Sequence, residues 1–371
     1  MTATKTSLKL SQGKLSVSHF ASEKHLAKGA AQRSKPLRIL SLDGGGIKGI
    51  VPATILVYLE QRLQAFSKDK DLRIADCFDW VAGSSTGGIL ACFYLLPDPD
   101  RPGRPKLSAQ EALERYLQQG QGAFQRTYLQ QARNRFGIAK EEYSHGMLAR
   151  QLKRTIGRDV LLSELVRPCT IPAYHMQQDK PVFFNSQSNT FTKLKAWQVA
   201  KATSSAPGFF SPTHLKNAKG QKCSFQDGSL WTTDPALCAY WEARKTICQK
   251  DAPHKKRQTL LLSLGTGKMS RRYLVKALRK QKERGQVAFN KMMAKQSCSA
   301  QQRLREIFSH YESAGQYYRL EPVLTDATSA MDDVATENLK ALHELALAFV
   351  EKERDRLDEI AKQLIGAGEI G

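Results

Sequence analysis

Val81-Ala82-Gly83-Ser84-Ser85-Thr86-Gly87-Gly88 sets one serine between two glycines, in the order G-x-S-x-G. The stretch follows a short apolar run, Phe78 to Ala82, and precedes another, Ile89 to Leu96. A strand, a sharp turn and a helix are the setting this pattern needs. The turn holds its central residue in a strained backbone, and glycines two positions to either side let the chains pass closely. It lifts the serine hydroxyl clear of a sheet and onto a helix N-terminus, where the dipole favours developing negative charge. Ser85 is therefore the candidate nucleophile, with Gly83 and Gly87 permitting the turn. Alone, the octapeptide also suits an ordinary Gly/Ser turn, so the rest of the chain has to agree.

About forty residues earlier come Leu37-Arg38-Ile39-Leu40-Ser41-Leu42-Asp43 and then Gly44-Gly45-Gly46-Ile47-Lys48-Gly49. The first part reads as a buried strand. Ile50 to Phe66 reads as a helix, with Ile50, Leu56, Leu59, Leu63 and Phe66 as its apolar repeat. Three consecutive glycines between them leave backbone N–H groups free to converge on an anion, either a phosphate or the oxyanion of a tetrahedral intermediate. Gly44, Gly46 and Gly49 also satisfy G-x-G-x-x-G, the dinucleotide fingerprint. That fold wants an acid at the end of the second strand, whereas Asp69 and Asp71 fall in a polar link before that strand begins. The dinucleotide reading is therefore disfavoured, and the anion the loop would hold stays open at this point.

A serine needs a base. In the Ser, Asp, His chain order of a hydrolase sheet, only His254, His310 and His343 come late enough. His254 sits in a charged run, and the other two sit in helical patterns, so none has a turn to present it. Phe225-Gln226-Asp227-Gly228-Ser229 offers a carboxylate instead, on an Asp-Gly step that also reads as a plain β-turn.

Together, Asp43-Gly44-Gly45-Gly46-Ile47-Lys48-Gly49, Gly83-Ser84-Ser85-Thr86-Gly87 and Asp227-Gly228 resemble the patatin-like phospholipases, in the family's order. Further echoes are Ala202-Thr203-Ser204-Ser205-Ala206-Pro207, Leu262-Ser263-Leu264-Gly265-Thr266-Gly267, Tyr317-Tyr318-Arg319-Leu320 and Met331-Asp332-Asp333 to Asn338-Leu339. The resemblance runs from about residue 36 to about residue 350. It implies an α/β fold: a three-layer sandwich with a mainly parallel central sheet flanked by helices, plus a helical cap or annex. It also implies a Ser–Asp dyad, with Ser85 as nucleophile, Asp227 as base and the amides of Gly44, Gly45 and Gly46 as the oxyanion hole. Asp43, Lys48, Gly49 and Gly228 support these motifs, and no metal or cofactor is called for. The implied reaction is cleavage of fatty acyl esters of glycerophospholipids, of phospholipase A or lysophospholipase type. Three departures bear on substrate and rate: Lys48 for the usual arginine, Gly228-Ser229 for a double glycine, and Thr233-Asp234-Pro235 for an Asn-Pro step.

Composition is consistent with this reading. The chain has 371 residues, 41% of them hydrophobic, enough for one large core. Its longest apolar run, Ile89 to Leu96, is too short to span a bilayer. Residues 1–36 lack the apolar stretch of a secretory signal and read as a basic disordered arm with seven Lys/Arg against Glu23. Seven cysteines without paired or metal-type spacing suit reduced thiols in a cytosolic setting, Cys77 and Cys92 among core residues. Export by a route without a cleaved signal stays open. A net charge of +22 points to an anionic partner. Twelve Lys/Arg against Glu283 fall between Lys268 and Arg305, which read as a basic helix with Tyr273, Leu274, Leu278, Val287 and Phe289 on its apolar face. Such a surface suits peripheral binding to anionic membrane. The class-level rival is a basic membrane- or nucleic-acid-binding protein with a vestigial hydrolase site, although no nucleic-acid module is present. The expected organisation is the arm at 1–36, a catalytic domain at 37–334, and a C-terminal amphipathic helix at 335–371 packed on the core. Within the catalytic domain, Ser108 to Arg154 reads as a helical cap. The sequence leaves open whether a protein or small-ligand activator is required.

Overall fold

The structure, a computed structural model, describes residues 35–124, 143–188, 190–191, 193–217, 220–247, 258–270, 284–311, 315–325, 327 and 330–366. Most of the basic arm and the sequence around His254 lie outside the described residues. So do Tyr273, Leu274 and Leu278, and the middle of the expected cap.

β1 (Leu37–Leu42) leads through the glycine loop into α1 (Ile50–Ser67), and β2 (Trp80–Gly83) leads through the serine turn into α2 (Thr86–Tyr94). Next come α3 (Ala109–Ala123) and α4 (His145–Ile156), then β3 (Cys169–His175), β4 (Lys180–Asn185) and α5 (Ala196–Thr203). β5 (Thr213–Lys216) and β6 (Lys222–Asp227) form a hairpin, followed by α6 (Ala236–Ile247), β7 (Thr259–Leu264) and β8 (Lys268–Met269). The last elements are α7 (Arg284–His310), β9 (Gln316–Leu320), β10 (Val323–Leu324), α8 (Thr336–Lys352) and α9 (Arg354–Ile365).

The main sheet runs β5-β6-β3-β2-β1-β7-β9, with β4 also on β3. Its centre is parallel, and its β3–β6 end is antiparallel. Strands buried on both faces need continuous apolar sequence, which Thr259–Leu264 supplies. Period-two alternation sorts these side chains between the two faces. Ile39, Trp80 and Leu261 join one cluster with Tyr240 of α6 and Leu304 of α7. Leu40, Val81 and Leu262 join the other with α1, α2, α8 and α9. The result is the three-layer α/β sandwich expected. Trp80 is fully buried and donates from Nε1 to Thr170 Oγ1 at 3.1 Å, so its indole N–H is not orphaned.

β3 explains how an antiparallel strand reaches the edge where β1 and β2 end. β4 runs along one of its edges from Thr170 to His175, while the other edge serves β2 at Cys169–Thr170 and β6 at Ala173–His175. β6 therefore continues where β2 stops, and its last residue, Asp227, falls close to the turn after Gly83.

Two expectations need correction. The long C-terminal helix is two helices broken at Glu353, where ψ turns to 15°. Both pack on α1. An unbroken 30-residue helix would reach about 45 Å and overrun the roughly 27 Å length of α1. The break folds Leu357, Ile360 and Leu364 back into the core, where Arg62 and Tyr58 both bind Asp358. The basic segment starts not as helix but as β8, paired with β10, and its described helix begins at Arg284.

Candidate active site

Parallel strands with helices on both faces present their ligands at the carboxyl edge, and the motif residues collect there. β1 ends at Asp43, β2 at the serine turn, and β6 at Asp227. Ser85 adopts φ 52° and ψ −121°, a left-handed backbone that a residue with a Cβ takes only when its surroundings impose it. The turn closes so tightly that a Cβ on Gly83 would collide with the Gly87 carbonyl, and one on Gly87 with the Leu42 carbonyl. Ser85 caps α2, and its own amide donates to Thr203 Oγ1 at 2.9 Å. Thr203 in turn donates to Pro172 O at 2.6 Å, which ties the elbow to β3.

Ser85 Oγ donates to Asp227 Oδ2 at 2.6 Å. The other carboxylate oxygen accepts the Ser229 amide at 2.8 Å, which fixes the rotamer. Both side chains are buried, Asp227 at 2% exposure. Burial pushes the Asp227 carboxyl up to about 6, against the opposing pull of the Ser85 and Ser229 hydrogen bonds. Gly228 is needed for a close pass, since a Cβ there would strike the Pro172 carbonyl.

Among the described residues no histidine ring meets Ser85. His343 Nδ1 pairs with Thr54 Oγ1 at 3.1 Å, and His310 is exposed at a helix end. His145 meets Thr213 Oγ1 at 3.1 Å and Ser205 Oγ at 3.5 Å.

The three loop amides are not equivalent. Gly44 N donates to Thr233 O at 3.0 Å, so it drops out as a ready oxyanion donor. Gly45 N donates to Thr86 Oγ1 at 3.1 Å, an exchangeable hydroxyl partner. Gly46 N meets no acceptor among the described residues, and Gly46 lines the cavity in front of Ser85. Its φ of 61° and its contact with Met331 admit only glycine. Tyr116 donates to Gly46 O at 2.6 Å and packs where a Cβ on Gly49 would sit.

Asp43 lies beyond the loop and is gripped by Arg319 through Nη2–Oδ2 at 2.6 Å and Nη1–Oδ1 at 2.9 Å. Asp234 and Glu321 approach the same guanidinium at 3.4 and 3.1 Å. Lys48, in the turn Gly46–Gly49, is buried, and burial lowers its ammonium to about 8 against the attraction of Glu321. The partners Arg319, Thr203, Thr86, Thr233 and Tyr116 have no role in the sequence reading. All but Tyr116 sit inside stretches quoted there, but nothing local marks what they bind.

The cavity in front of Ser85 holds about 50 Å³ of enclosed space. Ser85 and Asp227 form its polar floor, and Ile89, Phe124, Leu148, Phe209 and Phe210 supply apolar walls. α3 and α4 contribute to those walls, as expected of a cap.

Residues 40–240 match the sequence model of the family described as patatin-like phospholipase. The chain belongs to that family. As a patatin-like phospholipase it is an acyl hydrolase by class. It is 31% identical over 335 residues to patatin-2-Kuras 1 of Solanum tuberosum, spanning 85% of this chain and 86% of that one. Patatin-17 of Solanum cardiophyllum is 30% identical over 343 residues, or 87% and 86% of the two chains. Among solved structures, human GIVD cytosolic phospholipase A2 aligns with a TM-score of 0.45 and 10% identity, over 89% of this chain and 60% of that one. The family thereby accounts for the patatin fold and for a lipid substrate.

Proposed function

We propose that this patatin-like phospholipase cleaves fatty acyl esters of glycerophospholipids through an acyl-enzyme on Ser85. Ser85 Oγ attacks the ester carbonyl while its proton passes to Asp227. The amides of Gly46 and Gly45 receive the oxyanion, Gly45 exchanging its Thr86 partner for it. Collapse of the tetrahedral intermediate breaks the bond to the alcohol, which leaves with the proton from Asp227. Water then attacks the acyl-enzyme, Asp227 takes its proton, and Ser85 regains a proton as the fatty acid departs.

The observation that carries this reading is the 2.6 Å Ser85–Asp227 bond at the floor of an apolar cavity. A carboxyl with a pKa of about 6 is ionised at neutral pH yet basic enough to accept a proton transiently. The aromatic and aliphatic walls suit an acyl chain. The proposed place of action is an anionic membrane surface reached from the cytoplasm, for which the net charge of +22 is the support. Among the described residues no helix is long and apolar enough to cross a membrane.

The test is incubation of purified protein with mixed phospholipid vesicles, with and without cell extract, followed by mass spectrometry of the products. Free fatty acid and lysophospholipid are expected from the wild type and not from Ser85→Ala. Hydrolysis of short soluble esters with intact phospholipids would reassign the substrate to small esters. Turnover only with extract would add an activator.

A further inference from the structure

On the opposite face of the sheet from α1, α6 and α7 leave an open groove of about 450 Å³ beside the turn that follows Asp227. Its surface is apolar at Trp231, Leu237, Met292 and Ala300 and cationic at Lys295 and Arg303, with no carboxylate among the described residues of the lining. Trp231 is 52% exposed and Met292 37%. Trp241, at 58%, lies one helical turn beyond Leu237 and continues the same face of α6. Most exposed apolar side chains on a soluble surface stand singly; here Trp231 and Met292 line one groove, and Trp241 follows on the same helix.

The charge pattern says what covers it. Lys295 and Arg303 are eight residues apart on α7, so they project from the same side, roughly 12 Å from each other. Neither meets a carboxylate among the described residues. Over its whole length α7 carries five Lys/Arg against Glu306 alone. A second copy of a chain with net charge +22 is repelled from this face. A bilayer supplies what the groove lacks: headgroup anions for the cations, hydrocarbon for Leu237 and Met292, and the amphipathic boundary that tryptophan prefers.

We infer that this face, built by Trp231, Trp241, Met292, Lys295 and Arg303, docks the protein on anionic membrane. The inference deepens the proposed membrane setting and rests on it, but not on the ester chemistry at Ser85. One wall is the catalytic turn itself: Gln296 Nε2 donates to Leu230 O at 3.3 Å, and Thr232 O accepts from Ser84 Oγ at 2.7 Å. Docking here sets the bilayer against the turn that positions Asp227.

The experiment is sedimentation with phosphatidylcholine vesicles, with and without phosphatidylserine, alongside turnover of a short soluble ester. Wild type is expected on the anionic vesicles, less so at high salt. Lys295→Glu with Arg303→Glu is expected to weaken that binding at least about 30-fold. Trp241→Ser is expected to weaken it about tenfold. Soluble ester turnover and melting temperature should stay at wild-type values in both. Wild-type binding by both variants would overturn the docking face and leave the hydrolase reading intact. Failure of the wild type to bind anionic vesicles, or binding only to an acidic protein, would overturn the inference as well. Should the double variant unfold, Arg303→Glu and Trp241→Ser alone decide the matter by the same readout.

Discussion

Two buried aspartates stand at the same edge of the sheet and have opposite surroundings. Asp43 is held by two hydrogen bonds from Arg319, and its carboxylate faces a full positive charge. Asp227 is held by a hydroxyl and one backbone amide. Burial pushes both carboxyls up, but one locked to guanidinium is the poorer base, because accepting a proton breaks the ion pair. A carboxylate desolvated without a cation is a stronger one. The difference lies in partners, not depth, since both are 2% exposed. In the proposed mechanism Asp43 is thereby fitted to shape the glycine loop, and Asp227 to move a proton.

The contrast can be broken most forcefully from the serine side. Ser85→Ala should lower turnover by about 10⁵–10⁶-fold and abolish fluorophosphonate labelling, with the fold retained. Asp227→Asn should lower turnover by about 10³–10⁴-fold, and the same protein should be no less stable than wild type at pH 8. The sign follows from the raised pKa. A carboxyl at about 6 when folded and about 3.8 when unfolded contributes stability fully below the unfolded value. That contribution disappears as pH rises through about 6, so an amide removes a cost borne only by the ionised form. Denaturant unfolding of the two proteins on both sides of that pH checks it. Arg319→Met should do the reverse, costing about 3–5 kcal/mol by stranding Asp43 and Asp234, with activity falling in step with the folded fraction. Smaller again is the pH effect on the wild type: kcat/KM should fall about tenfold for each unit below about 6, which a pH–rate profile would show.

What could be read in advance follows the same division. The serine turn is local, so Gly83, Ser85 and Gly87 announce it within five residues. The parallel core is similarly open to inspection, because runs such as Leu260-Leu261-Leu262 have no polar face. Asp227 is ambiguous by itself: Asp-Gly spells a turn as readily as a base, and only the family's motif order singles it out. Its meeting with Ser85 depends on β6 taking the edge of β3 beyond β2, which no local pattern encodes. The unequal glycine amides are further from view. Thr233 O, which occupies Gly44 N, comes from 189 positions along the chain (233 − 44). Nothing in sequence distinguishes Arg319 among 57 Lys/Arg as the one that grips Asp43. The break at Glu353 is not legible in the sequence because the apolar stripe continues in register across it, and the limit is set by the length of α1.

The most direct measurement is the second-order rate of fluorophosphonate capture at Ser85 as a function of pH, in wild type and in Asp227→Asn. The wild-type rate should rise with an inflection near 6 and level off above it. The variant should be slow at every pH, without that inflection. Equal rates with the same pH profile in both proteins would contradict the account, because the serine would then owe its reactivity to some other base.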